Sequence, residues 1–154
     1  MKALYHQGQQ YPTQDTEAGL NYIEIEVSGP TGQWVKTKAL IDTGANVTSV
    51  TAALVEQLGV DDVLPYLGDQ LLETANGDVA EPTTKVNIRI LGTDGNYTLL
   101  QDWPVTIIRK MDEPILGLDI LQFYSAQMKH GQIVSMVFDE TGPSAIQKRK
   151  QIQG

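Results

Sequence analysis

Residues 39–50 read Ala39-Leu40-Ile41-Asp42-Thr43-Gly44-Ala45-Asn46-Val47-Thr48-Ser49-Val50. The strand expected from Trp34 to Ile41 ends in apolar Ala39-Leu40-Ile41 and leads straight into Asp-Thr-Gly. This order puts a carboxylate at the end of a strand, half-buried, where the chain turns. Thr43 can hydrogen-bond locally in that turn, and Gly44 permits a close backbone approach. On these three letters alone an ordinary strand-to-turn junction accounts for the segment just as well.

Outward from this stretch the pattern is mainly one of period 2, the signature of half-buried strands. The segment 20–27 alternates from Ile23 onward, Gly29-Pro30-Thr31-Gly32 is a turn, and Trp34 to Ile41 returns. Val86 to Ile90 alternates again, and Asp94-Gly95 is a hairpin signal before a strand at Tyr97 to Leu100. Val105 to Ile108 and Ile133 to Phe138 are further strands. Two short helices are expected: Thr51 to Leu58, with Thr51 as N-cap and Gly59 at the exit, and Gly117 to Tyr124. A mainly β domain closed as a sandwich or barrel follows. Residues 1–19 and 139–154 are polar and read as a flexible N-terminal arm and a flexible C-terminal tail.

The composition of the 154 residues agrees with a single globular domain: 41% hydrophobic and 19% charged. There are no cysteines, which excludes a thiolate metal site, a disulfide framework and a cysteine nucleophile. The histidines number two, His6 and His130, which argues against a multi-histidine metal site, so no metal and no cofactor are expected. The net charge of −8 is the reverse of a nucleic-acid footprint, so no nucleic-acid partner is expected. No secretory h-region and no apolar stretch of about 18 residues occurs, so no membrane association is expected.

A second segment changes the weight of the first. Pro114-Ile115-Leu116-Gly117-Leu118-Asp119-Ile120-Leu121 repeats the order of apolar pair, Gly and Asp before a short helix. Alone it reads as a core strand entering a helix; the pairing of the two segments is far rarer than either.

With both motifs in hand, the sequence resembles the retropepsin-type aspartic proteases, over roughly residues 20–138. Ala39 to Ala45 matches the family's catalytic motif at every position, and Thr48 and Val50 also fit. Ile115-Leu116-Gly117-Leu118-Asp119 matches its later apolar-apolar-Gly-x-Asp motif. Thr74-Ala75-Asn76-Gly77-Asp78 falls where the family has its flap, a β-hairpin over the active site. Retroviral members usually carry Asp where this chain has Asn46 and Arg where it has Leu118. Both members of that ion pair are missing together, and the details look closer to cellular and bacterial relatives.

The resemblance implies a closed β-barrel of the retropepsin type, with a flap hairpin, and a homodimeric aspartic endopeptidase acting on extended peptides. The chemistry needs two carboxylates sharing one proton, because like charges about 3 Å apart cannot both ionise. One acts as base on a water; the other, protonated, polarises the scissile carbonyl. Only one Asp-Thr-Gly is present, so the second carboxylate is expected from a second copy across a two-fold axis. By resemblance, Asp42 is the catalytic acid/base, with Thr43 hydrogen-bonding across the dimer and Gly44 meeting the substrate backbone. Ala45, Val47 and Ile115 would line apolar subsites, Asn76 and Gly77 would form the flap tip, and Asp119 would hold its helix to the active-site loops. Asp112 and Glu113 would stand at a rim of the substrate pocket, and some other contact, such as the strand Ile133–Phe138, would have to carry association. A retropepsin-fold module that binds peptides or dimerises with little turnover is the alternative. The compartment expected is cytoplasmic or virion/retroelement-associated.

Overall fold

A computed structural model of the chain describes residues 2–4, 10–15, 21–30, 32–58, 64–74, 77–92, 97–129 and 132–138. The inward alternation of Ile23, Ile25 and Val27 sets the first long strand, β3 (Asn21–Ser28), and these three side chains are buried. Preceding it are β1 (Lys2–Leu4) and β2 (Gln10–Asp15), within the segment that the sequence alone reads as an arm. A turn closed by Gly32 N donating to Gly29 O at 3.1 Å leads to β4 (Trp34–Ile41). Gly32 sits at φ +79°, a conformation that favours glycine. The β3–β4 ladder runs in register from Tyr22 against Leu40 to Ser28 against Trp34.

The short β5 (Ser49–Thr51) runs into α1 (Ala52–Gln57). Thr51 caps this helix as expected, its Oγ1 accepting from Leu54 N at 3.0 Å. The strands β6 (Asp69–Thr74) and β7 (Gly77–Leu91) pair as a hairpin from Asp69 against Pro82 to Thr74 against Gly77. β8 (Tyr97–Ile108) returns along β7, β9 (Ile115–Leu116) leads into α2 (Leu118–Leu121), and β10 (Tyr124–Lys129) and β11 (Gln132–Phe138) follow.

Six strands close on themselves in the order β3, β4, β9, β5, β8, β7 and back to β3. This is the mainly β closed barrel that the sequence predicts, with two short helices. Ile23, Ile25, Ile88, Ile90, Leu100 and Leu116 fill its interior. Each contributes roughly 1.5–3 kcal/mol by leaving water. Beside the barrel β2, β11 and β10 form a three-stranded extension.

β8 unites two stretches that the sequence separates, Tyr97–Leu100 and Val105–Ile108. The reason is a bulge. Val86 pairs with Trp103 and Ile88 with Leu100, so Gln101 and Asp102 face Asn87 alone. Asp102 takes φ +51°, and its N–H donates to Asn87 Oδ1 at 3.0 Å. The extra residue shifts the parity of the strand. Thr98 and Leu100 point inward before it, Trp103 and Val105 after it. Trp103 thereby enters the core, edge-on to Phe123 with ring centroids 6.1 Å apart.

Candidate active site

The two motifs lie side by side because β4 and β9 are parallel neighbours, Leu40 beside Ile115 and Ile41 beside Leu116. Leu40 N donates to Pro114 O at 2.8 Å and Asp42 N to Leu116 O at 3.1 Å. Asp42 is therefore the first residue past the barrel wall. The turn closes with Ala45 N on Asp42 O at 3.2 Å and Gly44 N on Asp42 Oδ1 at 2.9 Å.

This loop and α2 hold each other. Leu118 N donates to Ala45 O at 2.8 Å and Asp119 N to Asn46 O at 3.3 Å, so the loop satisfies N–H groups that the start of a helix leaves open. Gly117 makes the approach possible: a Cβ there would stand 2.5 Å from Val47 O. Beneath the loop lies a polar latch. Thr48, almost wholly buried, donates through Oγ1 to Asp119 Oδ1 at 2.7 Å and accepts from Gly117 N at 3.1 Å. Asp119 also accepts from Thr48 N, Trp103 Nε1 and Ile120 N at 3.2, 3.1 and 3.0 Å. Its carboxylate is saturated by donors on three segments of chain.

Asp42 is the opposite case. Among the described residues its half-buried carboxylate accepts from Gly44 N alone. It borders a cleft of about 590 Å³ together with Gly44, Ala45, Val47 and Ile115, which places these residues of the sequence-based site on one surface. The facing wall is β6, from Gln70 to Glu73. The hairpin β6–β7 thus stands over Asp42, where the sequence places a flap. Neither Leu71 and Leu72 on that wall nor Ile108 beneath it was singled out from sequence; their signal is positional, an apolar pair opposite Val79 and Ala80 across a hairpin.

The remaining site residues divide. Thr43 is exposed beside Asp42 and is not on the cleft wall. Gly77 begins β7 at φ +105°, as a turn residue should, but does not border the cleft. Asn76 lies outside the described residues, as do Gly59 and the Asp94-Gly95 hairpin signal.

Within one chain, Asp112 and Glu113 are not among the residues that border the Asp42 cleft; with Glu24, Lys36 and Lys38 they line a separate polar hollow against β3 and β4. Tyr22 Oη donates to Glu113 Oε1 at 2.8 Å, which pulls that loop toward the barrel wall. This hydrogen bond, with a smaller effect of burial, raises the Tyr22 phenol above its ordinary value. Within the chain β11 pairs with β10 on one side and, at Ser135 to Val137, with β2 on the other, so both backbone edges of those three residues are occupied. Among the described residues no group of three or more His, Asp or Glu side chains is placed to hold a metal ion.

Comparison with known proteins fits this geometry. The profile of the family described as "gag-polyprotein putative aspartyl protease" matches residues 31–123, from the β3–β4 turn to just beyond α2. Among solved structures, a retropepsin-like aspartic protease from Rickettsia conorii superposes with a TM-score of 0.60 at 20% identity, covering 83% of this chain and 90% of the other. The EIAV protease, solved with the inhibitor HBY-793, gives a TM-score of 0.47 at 20% identity over 73% of this chain and 86% of that one. No curated protein matches in a sequence search.

Proposed function

The chain belongs to the gag-polyprotein aspartyl protease family, and from that premise we propose that it works as a homodimeric aspartic endopeptidase with one Asp42 from each subunit. The observation that carries this reading is the contrast between two acids in matching motifs. Asp119 is spent on holding the fold together, while Asp42 keeps its carboxylate toward a cleft under a hairpin. A carboxylate with free acceptor capacity at the floor of a peptide-sized cleft is what activation of a water requires.

One such carboxylate is half a site. The reaction needs a base and an acid at once, and a two-fold axis beside the exposed Asp42–Gly44 turn supplies both from identical residues. In that arrangement the unprotonated Asp42 takes a proton from water as the oxygen attacks the scissile carbonyl. The protonated Asp42 of the other subunit donates its hydrogen bond to the carbonyl oxygen. Ala45, Val47 and Ile115 offer apolar surface to substrate side chains, and the β6–β7 hairpin covers the peptide.

The test is cleavage of a peptide library by the parent and by Asp42→Asn across pH. The amide keeps the shape of the carboxylate but cannot act as base. The parent should give a bell-shaped profile, because the pair works only when singly protonated; the variant should give no cleavage while keeping its fold. Comparable turnover by both proteins would remove the assignment, and a folded, dimeric but inert parent would leave the peptide-binding alternative.

A further inference from the structure

Next to the Asp42 cleft, and sharing Leu72 and Ile108 with it, runs a second hollow of about 660 Å³ beneath the hairpin. Leu72, Val79, Ile108 and Met111 supply its apolar surface, and three charged residues line it as well: Glu81, Arg109 and Lys110. Glu81 projects from β7 into it and is only 6% exposed. Its Oε2 atom is shielded from solvent and has no hydrogen-bond partner. The nearest cation is Arg109, whose Nε stands 3.6 Å away, beyond hydrogen-bond reach, on a side chain that is 68% exposed.

A buried carboxylate oxygen without a hydrogen bond is costly, and an exposed arginine at that distance offsets little of the cost. The hollow therefore presents an acceptor at the end of an apolar trough. That combination suits a long aliphatic stem with a cationic head, the stem lying on carbon and the head on oxygen. An acidic side chain would meet Glu81 as well as Arg109 and Lys110, and would leave the buried Glu81 oxygen unbonded. A purely apolar one would cover the carboxylate without bonding it. The net charge of −8 also favours approach of basic peptides.

Resting on the protease reading above, we propose that Glu81 makes this hollow a subsite for a lysine or arginine of the substrate. The peptide lies in the Asp42 cleft, one side chain crosses Leu72 and Ile108, and its head group displaces Arg109 from Glu81. Glu81 is then a specificity residue and takes no part in the bond-breaking step.

The experiment uses peptides that carry Lys, Arg or the uncharged norleucine at each position in turn. Cleavage is measured with the parent, Glu81→Gln and Arg109→Ala, and binding of the same peptides is measured with Asp42→Asn. At one position the parent should favour Lys or Arg over norleucine by about fivefold, the scale of one partly screened charge-assisted hydrogen bond. Glu81→Gln should bring the ratio to about one, whereas Arg109→Ala, which removes the competing cation and is a surface change, should raise it. Equal use of Lys and norleucine at every position, a preference that survives Glu81→Gln, or a preference for Asp or Glu lost in Arg109→Ala would each overturn the proposal. The binding series needs no turnover. Absence of cleavage thus counts against the protease reading, while the binding ratios still decide the role of Glu81.

Discussion

Replacing Thr48 by Val exchanges a hydroxyl for a methyl at nearly constant shape, so it tests the polar latch without opening a cavity. In the structure Oγ1 donates to Asp119 Oδ1 at 2.7 Å and accepts from Gly117 N at 3.1 Å. The first is a hydrogen bond to a charged group, about 1.5–3 kcal/mol. The second leaves a buried N–H unsatisfied, about 1–3 kcal/mol. Gly117 cannot retreat to find water without pulling away from Val47 and Ala45, against which it is packed. The added methyl gives back about 0.8 kcal/mol of transfer free energy. The net loss is about 3 kcal/mol, a large part of a total stability of about 5–15 kcal/mol. The melting temperature should fall by about 10 °C. Urea unfolding followed by tryptophan fluorescence measures this, at one protein concentration because association shifts apparent stability. Thr48→Ser is the control: it keeps both hydrogen bonds and loses a buried methyl, about 1 kcal/mol. If Thr48→Val is no less stable than Thr48→Ser, the latch does not hold the loop and the argument is refuted.

Two further outcomes follow from particular contacts. Specific activity should fall on dilution to low nanomolar protein, because Asn46 and Leu118 replace the charged pair expected from retroviral relatives and, on the proposed function, a lone Asp42 is half a site; constant specific activity at that concentration would show that other contacts suffice. The Tyr22 phenol should titrate above the ordinary tyrosine range, chiefly because it donates to Glu113, and Glu113→Gln should bring it down. A raised phenol means that the neutral form is the one the fold favours. Its contribution is complete below the unfolded value of about 10 and is lost as pH rises through the folded value. Ultraviolet difference titration of the parent against the variant reads this directly, and identical curves would dismiss the contact.

Strands whose sequence alternates were legible, and those held by ladders alone were not. Ile23, Ile25 and Val27 announce β3, and Trp34 to Ile41 announces β4 with its boundaries intact. β2 reads Gln-Tyr-Pro-Thr-Gln-Asp and β10 reads Tyr-Ser-Ala-Gln-Met-Lys. Neither carries the β-branched alternation that marks a half-buried strand, and a proline inside a run argues against one. Their partners are distant: β2 is joined to β11 through Pro12 against Ser135 and Tyr11 against Met136. Backbone pairing across that separation leaves no local trace. β8 was split for a different reason. Its parity change at Gln101-Asp102 breaks the period of 2, although the strand itself continues.

The same bulge explains what the sequence could and could not say about the site. Asp42 and Asp119 each follow an apolar run and stand close to a glycine, so local pattern treats them alike. What separates them is supply of donors, and that is decided by packing. The bulge turns Trp103 inward, and its indole N–H meets Asp119 Oδ2 at 3.1 Å. Thr48, one turn beyond Asp42, supplies a hydroxyl and an N–H to the same carboxylate. Among the described residues no other segment does this for Asp42, whose bond to Gly44 N comes from its own turn. The barrel thus uses one acid to fix the two motifs against each other and leaves the other acid available at the cleft. A chain that had saturated both would have a firmer loop and no base; one that had saturated neither would have a base on a loop without a fixed position. On the proposed function, chemistry at Asp42 depends on that asymmetry, and Thr48, Trp103 and Asp119 are then positioning residues for a group that none of them touches.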